Sequence, residues 1–123
     1  MPENFMSGAK KFGEMIAMYS KHGWQLKRVL LRPETQAGLG GSCEELFGDA
    51  RQIEAEVDAL WFSRPSHSAR EAWELRLVAE PPYALFETFE ADEEEEDRED
   101  VRREMEARLR DYAGRAVNRP DPS

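Results

Sequence analysis

The sequence predicts an α+β domain: a four-stranded, mainly antiparallel sheet, with an N-terminal helix and a long C-terminal helix on one face and a short helix after the first strand. Three observations carry that reading. Apolar residues recur with a 3.6-residue period at both ends of the chain. Between them, several runs alternate apolar and polar residues. Short turn-forming stretches join the last three runs, which makes a meander. The 123 residues suit a single domain. We assign residues 1–117 to it and read 118–123, "NRPDPS", as a disordered tail.

The first helix is read over Ser7 to Gly23. Phe12, Met15, Ile16 and Tyr19 form one stripe, Ser7 suits the N-cap, and Gly23 suits a left-handed stop. Trp24 to Arg32 follows as a strand, with Trp24 and Leu26 on one side and Val29 and Leu31 on the other. Pro33 ends it. "PETQAGLGGS" reads as a loop. Ser42 with Glu45 fits a capping box, which starts a short helix to about Ala50 anchored by Leu46 and Phe47.

Ile53 to Arg64 alternates and reads as one strand, with Ile53, Ala55, Val57, Ala59 and Trp61 opposite Glu54, Glu56 and Asp58. "PSHS" makes a turn. Arg70 to Glu80 is the next strand, Pro81 and Pro82 connect, and Tyr83 to Glu90 is the last strand. The closing helix is read from Asp92 to about Arg115, with Val101, Met105, Leu109 and Tyr112 as its buried stripe.

Charge is unevenly placed. The net charge is −9, and Glu90 to Asp100 alone holds nine acids and one base, or −8 of it. The remainder is nearly neutral. Carboxylates early and arginines late in a helix complement its dipole. Acid-first pairs four residues apart recur: Glu94–Arg98, Glu99–Arg103, Glu104–Arg108, Glu106–Arg110 and Asp111–Arg115. The run therefore reads first as a solvated helix start. Its first two turns have no apolar anchor before Val101, so they project into solvent, fray, or meet a basic protein partner through Glu93, Glu94, Glu95 and Glu96. Consecutive acids without a central glycine do not form an EF-hand loop, and no metal or other cofactor is expected. The same charge opposes nucleic acid and anionic lipid.

Candidate chemistry is sparse. "GLGGSCEE" is not a phosphate-binding signature: no lysine follows, and Glu44 and Glu45 repel anions. Cys43 is the one cysteine, so the chain forms no internal disulfide, and its use as a nucleophile requires His22 or His67 nearby. No apolar run of membrane-spanning length or leader type occurs, and a cytoplasmic setting is expected.

The apolar ends of the strands are more informative. "VLL", "ALWF" and "YALF" carry apolar side chains towards both faces of the sheet. With both long helices on one face, Leu30, Leu60, Phe62 and Phe86 would remain on the other, covered by the short helix or by a second subunit. The function expected from the sequence is a non-enzymatic interaction or regulatory module acting as a homodimer, with the acidic helix end as a second contact. The alternative is a small-molecule-binding or hydrolytic domain whose pocket is lined by Trp61, Trp73 and the strand carboxylates.

Overall fold

The computed structural model describes residues 2–79 and 82–118. The last residues of the expected tail, 119–123, and Pro81 of the expected connection lie outside them. The fold is α+β: a five-stranded mixed sheet between helices on both faces. The order is α1 (Pro2–Lys21), β1 (Gln25–Leu31), α2 (Pro33–Leu39), α3 (Ser42–Phe47), β2 (Arg51–Glu54), β3 (Ala59–Pro65), β4 (Glu71–Leu77), β5 (Tyr83–Phe89) and α4 (Glu95–Asn118). The strands lie in the order β2-β1-β3-β4-β5. All neighbours are antiparallel except β1 and β2, which run parallel.

The fifth strand comes from the stretch read as one. β2 and β3 flank β1 on opposite sides, so the chain must cross the end of β1 between them. Alternation continues through the crossing, because residue period does not report a change of partner. The corner is tied by Asp58: its Oδ1 accepts from the Arg32 backbone N–H at 2.9 Å, and its Oδ2 accepts from the Thr35 hydroxyl at 2.7 Å. The parallel pairing of β1 and β2 requires a longer crossover. The stretch read as a loop supplies it, with Pro33 at the first turn of α2 rather than only ending β1.

The two long helices pack on opposite faces, a correction to the expected arrangement. Phe12 and Tyr19 of α1 join Val29, Leu31, Leu39, Cys43, Phe47, Leu60 and Phe62 in one core. Met105 and Leu109 of α4 join Leu30, Ala59, Trp61, Trp73, Leu75, Leu77 and Phe89 in the other. The cause is in the strands. β1 and β3 are apolar on both sides, and burying both sides needs a helical layer on each. A β-bulge between Leu26 and Arg28 refines β1. The extra residue resets the alternation, so Trp24 and Leu26 lie on the same side as Val29 and Leu31 instead of opposite them.

The start of α4 does not project into solvent. Arg98 and Arg102 extend its buried stripe, and Arg102 is only 2% exposed. The Arg102 guanidinium lies 4.0 Å from the Trp73 ring centroid and 5.2 Å from that of Phe89. Glu99 and Glu95 each accept from Arg102 at 2.8 Å, and Glu99 also takes Arg28 of β1 in a two-oxygen pair at 2.8 and 3.1 Å. Arg98 donates to the carbonyls of Glu90 and Ala91, which fixes the link from β5. Guanidinium planes stack on aromatic rings while keeping in-plane donors for carboxylates, so arginine serves here as an anchor.

Candidate interaction site

α1 packs over β1 and β3, and its Tyr19 reaches Glu74 of β4. On that side β4 presents Ala72, Glu74 and Arg76, and β5 presents Ala84, Phe86 and Thr88. These positions are the alternates of Trp73, Leu75 and Leu77 and of Tyr83, Leu85 and Phe89, which join the α4-side core. This half of the sheet face is partly uncovered: Ala72 is buried, Glu74, Arg76 and Thr88 are half-buried, and Ala84 and Phe86 are exposed. Phe86 is 57% exposed and Met18, on the last turns of α1, is 47% exposed. They are the exposed large hydrophobics among residues 8–79 and 82–115. Trp24 lies between them: its ring meets Phe86 edge-on at 6.3 Å, and it lines a hollow of about 170 Å³ with Met18, Tyr19, His22 and Glu74.

Polar groups frame this apolar strip. Arg64 at the end of β3 stacks over Trp24 at 4.6 Å and donates to the His22 carbonyl at 2.9 Å. Beyond it a shallow cleft of about 530 Å³ is lined by Arg64, Pro65, Ser66, His67, Ala72 and Phe86. The turn at its rim, His67–Ala69, holds Ser68 and Ala69 at φ of 60° and 63°, a region costly for side chains other than glycine. At the inner boundary, Tyr19 stacks on Phe62 at 4.0 Å and donates its hydroxyl to Glu74. Burial and that acceptor push the Tyr19 phenol up to about 12, so it stays protonated as a fixed donor.

The expected site residues divide. Leu60 and Phe62 are fully buried under α1, and Leu30 is buried under α4, so none of the three lies on a surface. The uncovered apolar face that suggested a second subunit there is internal to the chain. Phe86 alone of the four is exposed. Of the acidic four, Glu95 turns to Arg102, Glu93 accepts from the Glu90 backbone N–H at 3.0 Å, and Glu94 and Glu96 are solvated. Trp61 and Trp73 lie in the α4-side core. Both are buried, with their indole N–H groups on Glu106 at 2.8 Å and Glu71 at 2.6 Å. Glu54 and Glu56 are exposed and Asp58 ties the β1–α2 corner, so the strand carboxylates do not converge with Glu74.

Cys43 is buried in the α1-side core, while the hollow and the cleft that contain His22 and His67 lie without it. Among the described residues, no group of three His, Cys, Asp or Glu side chains converges as metal ligands, and no helix is long and apolar enough to cross a membrane. Sequence reasoning missed Trp24, Met18 and Arg64 as surface partners of Phe86. Trp24 directly follows the helix stop at Gly23, which places it at a sheet end, but pairing it with Phe86 needed the strand order.

Fold and surface together define a small α+β domain whose sheet is covered on one face and half-covered on the other. Comparison with known protein families, curated proteins and solved structures finds no match to this chain.

Proposed function

We propose that the protein is a non-enzymatic interaction module and that its contact surface is the partly uncovered β4–β5 end of the sheet. The observation that carries this reading is the strip of Met18, Trp24 and Phe86, with Phe86 57% exposed on a chain in which 35% of residues are charged. An apolar strip with polar margins is the usual anatomy of a contact patch. Aromatic and arginine side chains dominate binding energy at such patches, and here Trp24, Phe86 and Arg64 adjoin one another. The hollow and the cleft are shallow and open, which suits a macromolecular surface better than a deep ligand pocket.

The acidic start of α4 contributes less to this reading than the sequence suggested. Its inward acids are occupied by Arg28 and Arg102, which leaves a solvated rim. The test is selection from a random displayed-peptide library on the immobilised protein, with Phe86→Asp as the counter-target. The expected result is enrichment of peptides that bind the wild type and lose at least about tenfold affinity for the variant. Peptides that bind both equally, or no enrichment, would contradict it. Circular dichroism of the variant guards against unfolding.

A further inference from the structure

The geometry points to a second copy of this chain as the partner, joined by antiparallel pairing of β5 with β5; this rests on the interaction reading above. The sheet has two edges, and they are unlike. β2 is four residues long and carries Arg51 and Glu54. Short, charged edges are protected against pairing. β5 is seven residues long, YALFETF, with neither lysine nor proline and one charge, Glu87. Among the described residues its backbone hydrogen-bonds only to β4. Glu87 is the one charge that guards this edge, against two in the four residues of β2.

The strand is also self-complementary. Phe86 is its central residue, so a two-fold axis beside Phe86 sets Phe86 opposite its own copy. The same register sets Ala84 opposite Thr88, Tyr83 opposite Phe89, and Glu87 opposite Leu85. No like charges meet, which is the commonest obstacle to such pairing. On the partly uncovered face, the two Phe86 rings would become a cross-strand aromatic pair, each backed by its own Trp24. Along the α4 side of the edge, a groove of about 260 Å³ is lined by Leu85, Phe86, Glu87, Val101, Glu104, Met105 and Arg108. Glu104 and Arg108 sit one helical turn apart and pair with each other at 3.6 Å across solvent. An exposed pair of that kind is cheap to exchange, and a two-fold axis offers each charge its opposite in the second copy.

Sedimentation velocity from about 10 µM to about 500 µM tests this, because an edge-strand interface without a large apolar area associates in the micromolar range. Wild type is compared with Phe86→Lys and with Gln52→Lys on the other edge, each checked for an unchanged urea midpoint. Wild type and Gln52→Lys are expected to pass from monomer to dimer together. Phe86→Lys, with like charges now facing across the axis, is expected to raise the dissociation constant at least about tenfold. A wild type that stays monomeric throughout, or a Phe86→Lys variant that dimerises like wild type, would overturn the proposal. Monomeric wild type that still binds selected peptides through Phe86 would remove the second copy while leaving the interaction reading intact.

Discussion

Arg102 of α4 sits over the Trp73 ring of β4, its guanidinium carbon 4.0 Å from the indole centroid and its side chain 2% exposed. That contact explains how a helix beginning with a block of carboxylates docks on a sheet. Arg102 brings its charge into the core margin, and Glu99 and Glu95 neutralise it. Arg102→Ala is expected to cost about 3 kcal/mol, through lost packing and lost stacking. Arg102→Met, which keeps the stem volume and removes the buried charge, is expected to cost about 1 kcal/mol or less. Urea unfolding of both variants checks this; equal losses would show that charge, not packing, dominates.

Glu99 sets an acid limit on stability. Arg28, followed by Arg102, holds its carboxyl at about 2, below the ordinary 4.5, with partial burial opposing. A carboxyl with a lowered folded value binds fewer protons in the folded state than in the unfolded one. Its contribution is therefore complete above about 4.5 and fades as the pH falls towards about 2. Glu99→Gln is expected to flatten that part of the stability profile and to lower stability at neutral pH by about 2 kcal/mol, since Arg102 loses a charged acceptor. Unfolding midpoints across this pH window, wild type against variant, decide it.

Tyr19 sets the alkaline counterpart. Burial, followed by its hydrogen bond to Glu74, raises the phenol from 10.0 to about 12. Its contribution is complete below 10.0 and disappears as the pH rises through about 12. The phenolate absorbance of the folded protein should therefore include one late transition near 12, absent in Tyr19→Phe. Glu74→Gln should move that transition earlier. A late transition that persists in Tyr19→Phe would contradict the assignment.

Ala69 holds a positive φ of 63° in the turn between β3 and β4. Left-handed alanine costs about 1–2 kcal/mol, which exceeds the roughly 0.5–1 kcal/mol of extra chain entropy that glycine brings. Ala69→Gly is expected to stabilise the protein by about 0.5 kcal/mol in thermal or urea unfolding. Destabilisation would show that the alanine methyl makes a contact worth more than the strain.

The elements that follow from local pattern were legible in the sequence. The stripe of Phe12, Met15, Ile16 and Tyr19, the alternation of Trp73, Leu75 and Leu77, and the late anchors Met105 and Leu109 all face the core. What pattern cannot carry is the choice of partner. The switch from β2 to β3 around β1 leaves alternation intact, and the bulge before Arg28 turns one predicted side of β1 to the other. The apolar groups on both sides of Leu60–Phe62 were visible, but they called for a second helical layer rather than a second subunit. Of the five acid–arginine pairs foreseen within α4, Glu104–Arg108 and Asp111–Arg115 form. In the other three, different partners prevail: Arg98 reaches Glu71 and the Glu90 carbonyl, Glu99 takes Arg28 of β1 and Arg102 one turn along α4, and Glu106 takes Trp61. Phe86 was legible as a surface residue; its neighbours Trp24 and Met18 required the tertiary fold.

The most direct measurement is a set of ¹H–¹⁵N correlation spectra of labelled protein, recorded as unlabelled protein or a selected peptide is added. Shift changes are predicted at Tyr83–Phe89 and at the adjoining Met18, Trp24, Arg64 and Glu74, joined by Glu104 and Arg108 when unlabelled protein is the addition. Changes centred on Glu93–Glu96 at the start of α4, with β5 unmoved, would contradict this.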